Sequence, residues 1–174
     1  MALNIMKKTL VIHPQDPSTD FLKTIYQGKG FTELTTEINP DQLFEQMESH
    51  DRILMLGHGF HFGLLHYFKL IVDARHVPVL RKKELVGIWC FAKQFFTRHQ
   101  LNGFYSDMFI SEPLEAQFLG VEASAEEIEK SNDCFAQLLR ENLDHPQRLQ
   151  RIQHAYGQLN TAVSDYNYMR LFDR

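Results

Sequence analysis

Cysteine is scarce in this chain. Two in 174 residues, with no framework spacing, exclude a disulfide-stapled scaffold and point to a reducing compartment, hence the cytoplasm. Long apolar runs are missing as well. No stretch approaches the ~20 residues that cross a bilayer, so no membrane role is expected. Thr9-Leu10-Val11-Ile12, which follows Lys7 and Lys8, is too short for a secretory signal core. Positive charge is not in excess: a formal net charge of −4 argues against a dedicated nucleic-acid surface, and Arg81-Lys82-Lys83 reads as a solvated helix end. There is no Walker sequence, G-x-G-x-x-G, His-Glu-x-x-His or Cys-x-x-Cys. Repeats, low-complexity tracts and linkers are absent too. What remains is an ordinary globular composition, 44% hydrophobic and 23% charged, over a length that suits one domain spanning residues 1–174.

Short apolar runs alternate with amphipathic stretches from residue 8 to about 120. Strands are expected at Lys8 to His13, Thr32 to Ile38, Arg52 to Leu56, Leu85 to Trp89 and Phe104 to Ile110. Between them, Asn39-Pro40-Asp41-Gln42 opens a helix with a capping side chain and proline at its first position. Phe62 to Leu70 is apolar enough for a buried helix, a turn of helix is expected around Pro78, and another helix over Phe91 to His99. Parallel strands need such crossovers, so the fold class is α/β: a five-stranded, mostly parallel sheet sandwiched by helices. The stretch 124–174 reads as a purely helical extension. Ser124-Ala125-Glu126-Glu127 is a capping box, and Leu149, Ile152, Tyr156, Leu159 and Val163 form a seam on a final helix. That seam suits a lid on the sheet or a homodimer.

His58 and Cys90 each follow the end of a fully apolar run, Ile53-Leu54-Met55-Leu56 and Leu85-Val86-Gly87-Ile88-Trp89. If those runs are neighbouring parallel strands, imidazole and thiol meet at the carboxyl edge, where open α/β sheets build their sites. An imidazole beside a thiol can take its proton and free a nucleophile. Gly57 and Gly59 let the chain turn sharply, and the Gly59 amide is placed to donate to a developing oxyanion. Glu112 and Glu115 follow the fifth strand and are candidates to orient His58. His58, His61, His66 and His76 with Cys90 offer zinc-type donors, but their spacing is not that of a known site, and no metal or cofactor is expected. The glycines of Gly57-His58-Gly59-Phe60-His61-Phe62-Gly63 also admit a phosphate cradle, against which the phenylalanines speak.

Leu54-Met55-Leu56-Gly57-His58-Gly59 resembles the strand-plus-His-Gly element of the caspase-like cysteine peptidases and their bacterial CHAT-like branch, and Gly87-Ile88-Trp89-Cys90 their strand-plus-Cys element. The resemblance covers about residues 8 to 120. It implies a three-layer α/β fold of the caspase-like or flavodoxin-like kind. It also implies a His58–Cys90 dyad, an oxyanion pocket at Gly59, and a peptide or protein as substrate. Caspase signatures put a small residue before the cysteine and glycine soon after it. Here Trp89 precedes and Phe91-Ala92 follows, so a non-catalytic binding or signalling module on the same scaffold is the alternative.

Overall fold

The structure, a computed structural model, describes residues 7–36 and 38–174. Strand β1 (Thr9–Ile12) leads through a 3₁₀ segment, Pro17–Leu22, into α1 (Lys23–Tyr26). Then come β2 (Thr32–Leu34), α2 (Pro40–Glu48) and β3 (Arg52–Leu56). Three short strands follow, β4 (Gly59–Phe60), β5 (Gly63–His66) and β6 (Lys69–Val72), before α3 (Val77–Leu80), β7 (Glu84–Ile88), α4 (Ala92–His99) and β8 (Phe104–Ser106). The chain closes with α5 (Pro113–Phe118), α6 (Ala125–Asn142), α7 (Arg148–Gly157), α8 (Ala162–Tyr168) and β9 (Leu171–Asp173).

The main sheet runs β2-β1-β3-β7-β8-β9, parallel except for β9. Strand alternation sorts its side chains into two cores. Leu10, Ile12, Ile53, Met55, Leu85 and Tyr105 face α2, α3 and α4, where Leu43, Met47, Leu80, Phe95 and Phe96 meet them. Val11, Leu54, Leu56, Val86, Ile88 and Phe104 face α1, α6 and α7, against Ile25, Phe135, Leu139, Ile152 and Tyr156. The α/β reading holds: a mostly parallel sheet between two helical layers, with the 2-1-3-4-5 order of flavodoxin-like folds over its parallel strands.

Several expectations need correction. The sheet has six strands, not five, because the last third is not purely helical: three residues, Leu171–Asp173, pair with β8 at its edge. So short a strand carries no readable alternation. Phe62 to Leu70 is not a helix but part of an antiparallel three-stranded sheet, β4-β5-β6. A short apolar run fits either state, and here Gly63 and the two-residue turn at Tyr67-Phe68 decide for strands. The fifth strand stops at Ser106 rather than Ile110. The second covers only Thr32–Leu34, and Glu37, within its expected span, lies outside the described residues, as do residues 1–6. The final helix is two, α7 and α8, parted near Asn160, whose φ is 51°. Its seam is used inside the chain: Ile152, Tyr156 and Val163 are fully buried in the cores.

At the sheet's amino edge, Arg52 and Glu84 are register partners and form an ion pair at 3.2 Å. Arg148 joins Glu84 at 3.1 Å and Asp173 at 2.8 Å, which ties α7 and β9 to the same edge. No helix among the described residues is long and apolar enough to cross a membrane.

Candidate functional site

The β3–β7 register pairs Leu56 with Ile88, and the Gly57 N–H donates to the Ile88 carbonyl at 3.0 Å. His58 and Cys90 therefore each stand two residues past a paired position, on adjacent parallel strands. Both line one small cleft at the carboxyl edge, with Thr19, Phe21, Trp89, Phe109 and Glu115 among its walls. The turn after β3 needs glycine at 57, where φ is 133°. Beyond β7, Phe91 takes φ 67°, a left-handed conformation that glycine adopts more freely. The Ala92 N–H closes that turn on the Trp89 carbonyl at 3.2 Å, and α4 begins at once.

His58 is held from the end of β1. Its Nε2 lies 2.7 Å from Ser18 Oγ and 3.7 Å from Asp16 Oδ1. Ser18 Oγ is also 2.7 Å from Asp16 Oδ1, and the Ser18 N–H donates to the same oxygen at 3.0 Å. A hydroxyl has one proton. Given to the carboxylate, it leaves Oγ as acceptor, so Nε2 carries the ring proton and Nδ1 is the free base of the neutral ring. The Ser18 hydroxyl, then its amide, hold the Asp16 carboxyl below its ordinary pKa.

This anchoring turn is itself fastened by a buried histidine. His13, at the end of β1, bonds the Tyr26 hydroxyl through Nδ1 at 2.9 Å and Thr19 Oγ1 through Nε2 at 3.1 Å. Burial first, then the charge of Lys23, pull its pKa from 6.5 to about 4. The folded protein thus keeps His13 neutral where the unfolded chain takes up a proton. Its contribution is intact above pH 6.5 and lost as pH falls toward about 4, an effect on the order of 3 kcal/mol. Urea unfolding at pH 7.5 and 4.5 checks this: wild type is expected to lose about 2 kcal/mol more between the two than His13→Gln does. An equal loss in both would rule out His13 as the source.

Cys90 is engaged elsewhere. Its thiol donates weakly to Glu115 Oε1 at 3.6 Å and faces the Phe109 carbonyl at 3.9 Å, and no hydrogen bond joins it to His58. Burial, and after it the Glu115 carboxylate, push the Cys90 thiol up from 9.0 to about 12. The cleft beside it has a volume of about 20 Å³, room for little more than one water.

The other candidates have their own duties. Gly59 is packed under the indole: a β-carbon there would lie 2.2 Å from Trp89 Cδ1 and 2.6 Å from the Gly63 carbonyl. The Trp89 Nε1–H donates to the Phe60 carbonyl at 3.1 Å, which binds the β4 hairpin over β7. Glu112 stands before α5, its N–H donating to Glu115 Oε2 at 3.1 Å, and neither glutamate bonds His58. Glu115 reaches back to the Ser111 amide at 2.7 Å and to the thiol. The histidines do not converge: His61 packs on Phe62, His66 on Tyr67, and His76 is buried beside Asp73. No three potential metal ligands come together among the described residues. With strands instead of a helix after Gly63, the phosphate cradle has no helix terminus to rest on. Cys134 is half-buried on α6 with no role at the cleft.

Sequence reasoning missed Asp16 and Ser18. The available signal was Asp16-Pro17-Ser18, four residues past the end of β1, an Asx-type turn at the same sheet edge as His58.

No protein-family model matches the chain, and no curated protein does. Among solved structures, the chain is similar to the Trp repressor binding protein from Bacillus subtilis, with 14% identity and a TM-score of 0.49, over 80% of this chain and 99% of that one. A likeness of that grade carries nothing about chemistry.

Proposed function

We propose that the chain is a cysteine hydrolase acting on a peptide or protein, a divergent relative of the caspase-like peptidases, with Cys90 as nucleophile and His58 as base. The observation that carries this reading is the in-register placement of imidazole and thiol at the carboxyl edge of β3 and β7, lining one cleft. The Asp16–Ser18 anchor supports it, since it points to Nδ1 as the nitrogen that accepts a proton.

A thiol held near pKa 12 is not a preformed thiolate. In this reading its proton passes to His58 as sulfur attacks the acyl carbon, and the Gly59 N–H receives the oxyanion. His58 then protonates the leaving amine, and water releases the acyl group. The small cleft must widen to admit a peptide, and the α5 segment that carries Glu115 lies against the sulfur together with Phe109.

The test is a panel of peptides bearing a carbonyl electrophile, read by mass spectrometry at Cys90. Covalent capture is expected in wild type, and at least a 100-fold slower capture in His58→Ala, the usual scale for losing a general base. The second reading, a non-catalytic binding module, is favoured by the raised thiol pKa and the narrow cleft. Under it, no peptide electrophile reaches Cys90 in the folded chain.

A further inference from the structure

A concavity lies away from the cleft, between α2 and the β5–β6 hairpin. Its volume is about 510 Å³, within the range of small-molecule sites. Ile38, Leu43, Phe44, Leu70 and Ile71 make its apolar walls. The ionisable side chains on it are His66, Tyr67, Lys69, Arg75 and His76, and no described carboxylate lines it. Arg75 is neutralised by a two-pronged pairing with Asp73, at 3.0 and 2.8 Å. Lys69 has no ion-pair partner among the described residues.

His76 supplies a second, independent sign of a ligand. It is 2% exposed, and its Nδ1 accepts the Asp73 N–H at 3.2 Å, which puts the ring proton on Nε2. Burial lowers its pKa and keeps the ring neutral. That Nε2–H has no acceptor among the described residues. A buried donor without a partner is uncommon in folded proteins, and each instance calls for a cause. The ring is stacked on Phe44 at 4.4 Å, and Phe44 is 37% exposed.

We propose that this cavity binds an amphipathic carboxylate, its hydrocarbon body against Leu43, Phe44 and Ile71, its oxygen accepting from His76 Nε2, and Lys69 at the rim supplying opposite charge. Both features favour an acceptor with negative charge. An alcohol of the same length would satisfy only the apolar walls and one hydrogen bond, and an ammonium would meet Lys69 as a like charge.

Isothermal titration of the full chain with decanoate, decanol and decylammonium tests this. One decanoate is expected per chain, at least tenfold tighter than either of the others. His76→Phe is expected to weaken decanoate at least tenfold and decanol less, since the alcohol loses a neutral hydrogen bond where the carboxylate loses a charge-assisted one. Leu70→Asp, on the exposed wall, is expected to abolish decanoate binding with the fold intact by circular dichroism. Equal binding of decanoate and decanol, tighter binding of decylammonium, or no binding of any overturns the proposal. If His76→Phe fails to fold, decanoate binding that survives Leu70→Asp overturns it as well.

Discussion

Cys90 in the folded chain is expected to react with iodoacetamide at pH 8 about 1000 times more slowly than in the chain unfolded in urea, because a thiol moved from 9.0 to about 12 holds that much less thiolate. Replacing Cys134 by serine leaves Cys90 as the single reporter. In that background, Glu115→Gln is expected to speed labelling several-fold, because the second cause of the raised thiol pKa is removed. The carboxylate sits 3.6 Å from the sulfur, so neutralising it removes a repulsion that opposes the thiolate. Burial is the larger cause and persists in the variant, which is why the gain stops well short of 1000-fold. A rate unchanged by Glu115→Gln would mean that burial alone sets the thiol. The same series informs the hydrolase proposal: if Glu115→Gln also speeds capture by a peptide electrophile, the α5 segment is what restrains the nucleophile.

Gly63→Ala is expected to be the most damaging small substitution in the chain. A β-carbon there would lie 1.8 Å from the Val72 carbonyl oxygen, and the backbone sits at φ 143°. Neither partner can yield cheaply, since the obstructing atom is backbone in the adjacent strand β6. Steric overpacking and conformational strain each cost about 1–3 kcal/mol, so a loss of about 4 kcal/mol is expected, on the order of 10 °C in Tm for a chain of this size. Gly28→Ala is the control. Its φ is 76°, but nothing lies within 4 Å of the added carbon, so only about 1 kcal/mol of strain applies. Thermal melts giving the two variants the same Tm would sink the packing account. Because Gly63 holds β5 against β6, and its carbonyl faces Gly59, the loss would also loosen the hairpin that follows His58.

Much of the fold was legible because strand alternation and helix caps are local. Asn39 and Ser124 cap α2 and α6 where their sequences say they should. The runs ending at Leu56 and before Cys90 are adjacent parallel strands, and that adjacency was readable because a buried parallel sheet needs continuous apolar segments with crossovers between them. The hairpin over Phe60 to Val72 was not readable as such. Its apolar run has no period that separates strand from helix, and its pairing is set by Gly63 against Val72. Strand β9 was hidden because three residues pair only by virtue of the edge that β8 presents.

The residues themselves determined a parallel α/β sheet and set an imidazole and a thiol one strand apart at its carboxyl edge. Tertiary structure decided what surrounds each of them. Segments from distant parts of the chain fold over that edge and bring Asp16 and Ser18 to His58, and Glu115 to Cys90. Alternation along a strand follows from backbone geometry and can be read one residue at a time. Which carboxylate meets a sulfur depends on how far a segment reaches once the core is packed, and no local pattern encodes that distance.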